Sequence, residues 1–408
     1  MKMKTVFLSM LAIAALASCS RQEFIDPHGG PQEGDKMLVD ITLGNGEMTK
    51  ATGVPEADGT EEKTITDITV FFLNGADQIV SRTFVTGPDL TDDGQNPGHK
   101  KATVETRTTA SQVMVIANIG EDRTGTDQAL NVSTRAQLEA VLQDLVFEDG
   151  TPPALVPFQE KTNLLMSGIG GVSQMAPGGI PTDPFTAEAS VDLKYIAAKI
   201  TLRSITVTDQ AQGEYGDGKD FVFTKAYLLN VQTKSHYFPT YLPATADLAF
   251  ANGTWEEAWG TSNLPIVKDF EEKLAITSIV PNTPVEKLAH WYVFENKPTS
   301  TTKDDNPTIL AVQIKWKEKE ANGGDIPADV YALKNFNVIF APGDKGIIEA
   351  GKAYDVALSF SGDFRPGTSG GNAGGGEDKP DEPNIKANVT VTVTPAEWDP
   401  APTEKPFE

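Results

Sequence analysis

The sequence predicts an all-β protein built as two antiparallel β-sandwich domains, with a minor helix in the first. Three observations carry this. Short segments rich in valine, isoleucine, threonine and aromatic residues recur along the chain, bounded by Gly, Pro, Asn and Asp. Several alternate apolar and polar residues with period two, as a strand with one buried face requires. Gly (36) and Pro (27) are plentiful enough for the turns that so many short strands need.

In chain order, Val39-Asp40-Ile41-Thr42-Leu43 is the first alternating segment and stops at Gly44. Residues 44–63 are polar and aperiodic, and contain Met48-Thr49-Lys50-Ala51-Thr52-Gly53. Exposed segments of this kind are where proteases cut, and Lys50 offers a trypsin-like site. Residues 65–74 (ITDITVFFLN) predict a strand ending in a turn at Asn74-Gly75, with 78–85 (QIVSRTFV) as its hairpin partner. Residues 102–109 alternate, and 112–118 (QVMVIAN) read as a buried strand stopped at Gly120. A helix is expected over 134–145. Thr134 and Gln137 make a capping-box pattern, and Leu138, Val141, Leu142 and Leu145 fall at helical spacing. Gly168-Ile169-Gly170-Gly171 is not read as a nucleotide loop, because prolines and glycines follow it instead of a helix.

A composition break at 176–184 separates the two halves. Beyond it, strands are expected over 189–207, 221–231, 275–280, 291–295, 308–315, 335–340 and 353–361. The domains read as 51–190 and 191–366. Residues 367–384 (GTSGGNAGGGEDKPDEPN) form a flexible Gly/Ser run and then a stiffer Pro/acidic run. This tether leads, within a last segment of 367–408, to Ala387-Asn388-Val389-Thr390-Val391-Thr392-Val393-Thr394. Val389, Val391 and Val393 fall on one face and the threonines on the other. A strand on such a tether is free to pair outside its own domain; the alternative is an ordinary edge strand after a long loop.

The N-terminus reads as an export signal over 1–18. Lys2 and Lys4 precede an apolar core from Val6 to Ala17, too short to span a bilayer as a mature helix. It ends Leu16-Ala17-Ser18-Cys19, which matches the lipobox of bacterial lipoproteins, so lipidation is expected at Cys19. This is the only cysteine in the chain, so no intrachain disulfide is possible. Residues 19–50 then read as a propeptide that carries the first strand.

The formal net charge of −23, without a Lys/Arg cluster, argues against nucleic acid as a partner and against docking on anionic lipid. His28, His99, His236 and His290 lie far from one another in sequence and from Cys19, so no metal site is expected. Neither a Gly-x-Ser-x-Gly elbow nor a His-Glu-x-x-His pair occurs. Asp89 to Gly94 loosely follows a calcium loop, but Lys100 stands where the closing glutamate belongs. The expectation is no catalysis and no cofactor.

Taken together, the pieces resemble a family. The lipobox at Cys19, the basic residue and alanine at Lys50-Ala51, the strand 68–73 ending in Asn74-Gly75, and Val113 to Gly120 are similar to fimbrillins of the Bacteroidales type V pili, of the FimA-type major stalk subunit. So are the run 193–207, Trp291 to Asn296 with Asn306 to Leu310, and the ending Asn388 to Trp398 (NVTVTVTPAEW). The resemblance implies transthyretin-like sandwiches and a mechanism. A trypsin-like surface protease would cut after Lys50, leaving Ala51 at the start and removing Val39, Ile41 and Leu43. The groove so opened would be filled by Val389, Val391 and Val393 of another copy. The best-known members are cut after arginine, whereas this chain has lysine. Expected partners are other copies of the chain in a filament, accessory tip and anchor subunits, the processing protease, and host or bacterial surface receptors. The outer membrane would hold the lipidated precursor, and the cell-surface fimbria the mature form. Two alternatives stand beside the stalk reading: an anchor or tip subunit, and a monomeric surface lipoprotein that binds glycans through Trp255, Trp259, Trp291 or Trp316.

Overall fold

A computed structural model describes residues 34–45, 62, 64–94, 99–144, 146–148, 155–157, 164–173, 185–208, 221–239, 250–255, 261–298, 305–317, 331–339, 347–361 and 389–397. The first half contains β1 (Lys36–Asn45), β2 (Asp67–Leu73), β3 (Ile79–Thr86), β4 (Thr91–Asp92), β5 (Lys100–Arg107) and β6 (Gln112–Ala117). These are followed by α1 (Arg135–Glu139), β7 (Leu142–Asp144), β8 (Val146–Glu148), β9 (Leu155–Pro157), β10 (Met166–Gly171) and β11 (Phe185–Tyr195). The second half contains β12 (Ala197–Val207), β13 (Phe221–Leu229), β14 (Val231–Gln232), β15 (Lys234–His236), β16 (Phe250–Ala251) and β17 (Glu271–Lys273). It ends with β18 (Val285–Phe294), β19 (Ile309–Lys317), β20 (Tyr331–Ile339), β21 (Lys352–Phe360) and β22 (Val389–Glu397).

Two sandwiches follow from the pairing. In the first, the layer β3-β2-β6-β10 runs into the layer β11-β1-β5-β4 through two residue pairs between β10 and β11. The layers then face one another, and the Ser81 and Thr106 hydroxyls hydrogen-bond across them at 2.6 Å. In the second, β18-β12-β21-β22 packs against β17-β13-β19-β20. One continuous apolar cluster runs through both. Most ladders are antiparallel, as expected, but β1–β11 and β12–β21 are parallel. In each parallel pair a distant segment of chain has been brought alongside, which no local pattern can encode.

The layers change hands at Ile196, between β11 and β12. The expected boundary at 190/191 lies inside β11, whose alternating burial continues unbroken to Tyr195. The two halves also share a small ladder, β7 with β15, reinforced by Tyr237. The Tyr237 hydroxyl donates to Gln143 Oε1 at 2.5 Å, and Arg123 donates to both.

That ladder corrects the helix expected over 134–145. Thr134 caps α1 by accepting from the Gln137 amide, but the helix ends at Glu139. Leu142 then serves in β7, paired with the second domain, so tertiary pairing overrides the local helical period. The strand expected over 275–280 does not form either. Ile276 and Ile279 rest against the core, and among the described residues this segment belongs to no strand. The Gly-Ile-Gly-Gly stretch is β10, pressed onto β11. A Cβ on Gly168 would lie 2.4 Å from the Asp192 carbonyl oxygen, and one on Gly170 would lie 2.3 Å from that of Ser190.

Candidate assembly site

β1 is the strand on which an exchange mechanism would turn. Its alternation is that of a sheet with one face in the core. Met37, Val39, Ile41 and Leu43 are all fully buried, whereas Asp40 is exposed. Full burial of such side chains contributes about 1.5–3 kcal/mol each, an upper bound against an extended unfolded chain. The backbone is satisfied on both sides. β1 runs parallel to β11, from Met37 opposite Phe185 to Asn45 opposite Leu193. It runs antiparallel to β5, from Lys36 opposite Arg107 to Leu43 opposite Lys100. On the outer face, the Thr103 hydroxyl donates to Asp40 Oδ1 at 2.6 Å, and Lys36 pairs with Glu105 at 2.9 Å.

The residues flanking the middle of the inward row are small. Val39 stands between Val104 and Ala187, Ile41 between Ala102 and Ala189, and Leu43 lies beside Val191. At Val39 and Ile41 the space is therefore filled by the side chains of β1 itself. Without β1, two rows of backbone donors and acceptors and an apolar floor would lose their partners. That is the chemistry of β-augmentation, in which main-chain hydrogen bonds supply affinity and alternate side chains supply fit.

β22 stands at the other end of the chain's logic. Among the described residues it has one neighbour, β21, and stands at the edge of its layer. The register sets Val389, Val391 and Val393 opposite Phe360, Leu358 and Val356, which are the core-facing residues of β21. Val39, Ile41 and Leu43 are thus brought together in a two-sided central strand, and Val389, Val391 and Val393 in a one-sided edge strand. Cys19, Lys50 and Ala51 lie outside the described residues, as do His28 and Trp259. Met37 is a fourth member of the inward row that the pattern Val39–Leu43 stopped short of. Extending the period of two by one step would have found it.

Some of the other candidates from sequence take structural roles. Asp92 pairs with Lys100 at 2.7 Å and Asp93 with Lys101 at 2.9 Å, so these carboxylates serve ion pairs at the β4–β5 edge. His290 packs edge-on against Tyr292. Trp291 is buried.

Comparison with known proteins agrees with this architecture. The family model described as major fimbrial subunit protein (FimA) matches residues 37–203, from the start of β1. The model described as FimA-like major fimbrial subunit protein, C-terminal domain, matches 197–398, through the end of β22. Among curated proteins there is no significant match. Several solved structures share the fold. A candidate cell adhesion protein from Bacteroides eggerthii is 24% identical with a TM-score of 0.61, covering 91% of this chain and 98% of that one. A candidate cell adhesion protein from Parabacteroides distasonis is 15% identical with a TM-score of 0.55, covering 90% and 100%. A fimbrilin (FimA) from Porphyromonas gingivalis is 16% identical with a TM-score of 0.53, covering 90% and 98%. With the two domain models spanning both sandwiches, the chain belongs to the FimA-type fimbrillins of the Bacteroidales and is a structural subunit of a cell-surface fimbria, not an enzyme.

Proposed function

We propose that this chain is the stalk subunit of its fimbria. It is exported as a lipoprotein modified at Cys19 and carried to the outer membrane. A trypsin-like protease cuts after Lys50, so that the mature chain begins at Ala51. Copies then polymerise by strand exchange: Val389, Val391 and Val393 of one copy take the place of Val39, Ile41 and Leu43 in the next, with tip and anchor subunits at the ends.

The observation that carries this reading is the position of β1. The strand that cleavage after Lys50 would release is a central one, paired on both sides and buried along one face. Its loss creates a demand that only another strand can meet, so an uncut precursor covers its own groove and stays monomeric. β22 suits the role because it sits at an edge, with one ladder to give up and two to gain. Three buried valines would add about 5–8 kcal/mol before ordering costs. A head-to-tail contact of this type does not close on itself and extends as a filament. Of the four tryptophans on which a glycan-binding reading would draw, Trp291 is buried and presents no stacking face.

The test is the N-terminus and intact mass of the protein in fimbriae sheared from cells. A start at Ala51 without lipid is the expected result. A lipidated Cys19 start in the assembled protein would overturn the stalk reading in favour of an anchor.

A further inference from the structure

In the layer β11-β1-β5-β4, the central strand supplies most of the backbone pairing of both its neighbours. β5 pairs with β1 from Lys100 opposite Leu43 to Arg107 opposite Lys36. Its only other ladder among the described residues is with β4, at Lys100 and Lys101. β11 pairs with β1 from Phe185 to Leu193, and with β10 only at Lys194 and Tyr195. One bridge, Val172 to Ala189, and two hydrogen bonds between Ser173 and Glu188 also hold β11. Without β1, most of the inner edge of β5 and of β11 would lose its main-chain partners. The buried row of Ala102, Val104, Ala187, Ala189 and Val191 would be uncovered at the same time. Unpaired backbone beside bare apolar surface is costly, so an empty slot is a state of high free energy.

β1 is also fastened ahead of its first inward residue. The Thr108 amide donates to the Asp35 carbonyl at 3.0 Å, and the Asp35 amide donates back to Thr108 Oγ1 at 3.1 Å. The Arg107 guanidinium donates to the Gly34 carbonyl at 3.0 Å. With the two ladders, the Thr103–Asp40 bond and the Lys36–Glu105 pair, these contacts all lie within residues 34–45 on the β1 side. A cut in the link between β1 and β2 removes none of them. It removes only the tether, which acts by raising the effective concentration of the strand. The two ends of β1 differ, however. Pairing with β5 stops at Leu43, so among the described residues Gly44 and Asn45 pair with β11 alone. The strand is held from both sides at its start and from one side at its end, which is the end that a cut would free.

We propose that β1 stays in its slot after the cut, as a separate and non-covalently bound strand, and leaves only as an incoming donor strand displaces it from the Gly44–Asn45 end. This rests on the strand-exchange reading above and adds the order of events. Cleavage permits exchange, the donor carries it out, and no open slot is formed on the way. A cut subunit then exposes no sticky edge while it waits for a partner. On the same reading, a lipid at Cys19 belongs to the retained strand and would hold the cut subunit at the membrane until it is incorporated.

The test uses the precursor from Ser20 to Glu408 with the recognition sequence of a site-specific endoprotease inserted between Lys50 and Ala51. It also carries Val391→Asp, so that its own β22 cannot act as donor. After complete cleavage, size-exclusion chromatography and mass spectrometry show whether the fragment that contains β1 travels with the body. Co-elution that denaturing urea abolishes is the expected result, and Ile41→Ala should speed loss of the fragment roughly tenfold or more. A synthetic peptide of residues 387–398 should then release the fragment at a rate that rises with peptide concentration. A fragment that separates from the body without peptide, at a rate that added peptide does not change, would overturn the proposal. A fragment that is retained and indifferent to the peptide would uphold retention and remove β22 from the donor role, so the two readings fail in different ways. Because the protease and its site are supplied, neither outcome depends on where cells cut the chain.

Discussion

Individual residues in this protein serve close approach and burial more than chemistry. In the sequence Gly168 and Gly170 belong to a glycine-rich stretch that carries no recognisable motif function. The fold gives them one, because β10 lies so near β11 that a single methyl group at either position would meet a carbonyl oxygen. Gly171, one residue on, has open space around its Cβ position. The two therefore part company on substitution. Gly168→Ala should destabilise the precursor by roughly 2–3 kcal/mol through forced separation of the strands. Gly171→Ala should stay within about 0.5 kcal/mol of the parent. Chemical denaturation of both variants checks this, and equal effects would mean that the β10–β11 contact is looser than described.

The element that matters most is β1. Its inward side chains are packed to zero exposure, and Ile41 lies between Ala102 and Ala189, which cannot collapse to fill the cavity left by its truncation. Ile41→Ala should cost the precursor about 2–4 kcal/mol in urea unfolding. The same substitution should leave no trace in protein cut after Lys50 and freed of the segment, since the strand is then absent. An effect that persists in the processed form would show that β1 stays bound after cleavage. β1 and β22 share a sequence pattern and differ in setting. The first is two-sided and central, the second one-sided and at an edge. Exposed edges are where proteins pair with other chains, and natural sequences ordinarily protect them.

At the scale of the whole molecule, the two sandwiches act together. The ladder of β7 with β15, the Tyr237–Gln143–Arg123 contacts and the ion pair of buried Glu62 with Lys199 all cross the junction. The vacated slot would therefore open in one domain while the donor leaves from the other, with the junction fixing their separation. Strand exchange along such a body makes a linear polymer. Val391→Asp sets a charge at the centre of the donor pattern and should abolish filaments, seen by electron microscopy, while the monomer stays soluble. Persistent filaments would remove β22 from the donor role.

By itself, the sequence determined the all-β class, most of the strands, the period-two face of β1, and the family. These are local properties, written in alternation, turn residues and short motifs that side-chain geometry reads directly. The tertiary structure alone decided which strands are neighbours. It set β1 beside β11 in parallel, ended the helix at Glu139 to free Leu142 for β7, and brought Glu62 to Lys199 and Tyr292 across well over a hundred residues of chain. A strand's pattern states that it has a buried face but not what covers it. That choice is made by summed burial and backbone pairing over the whole core, and the central place of β1 is one of its consequences.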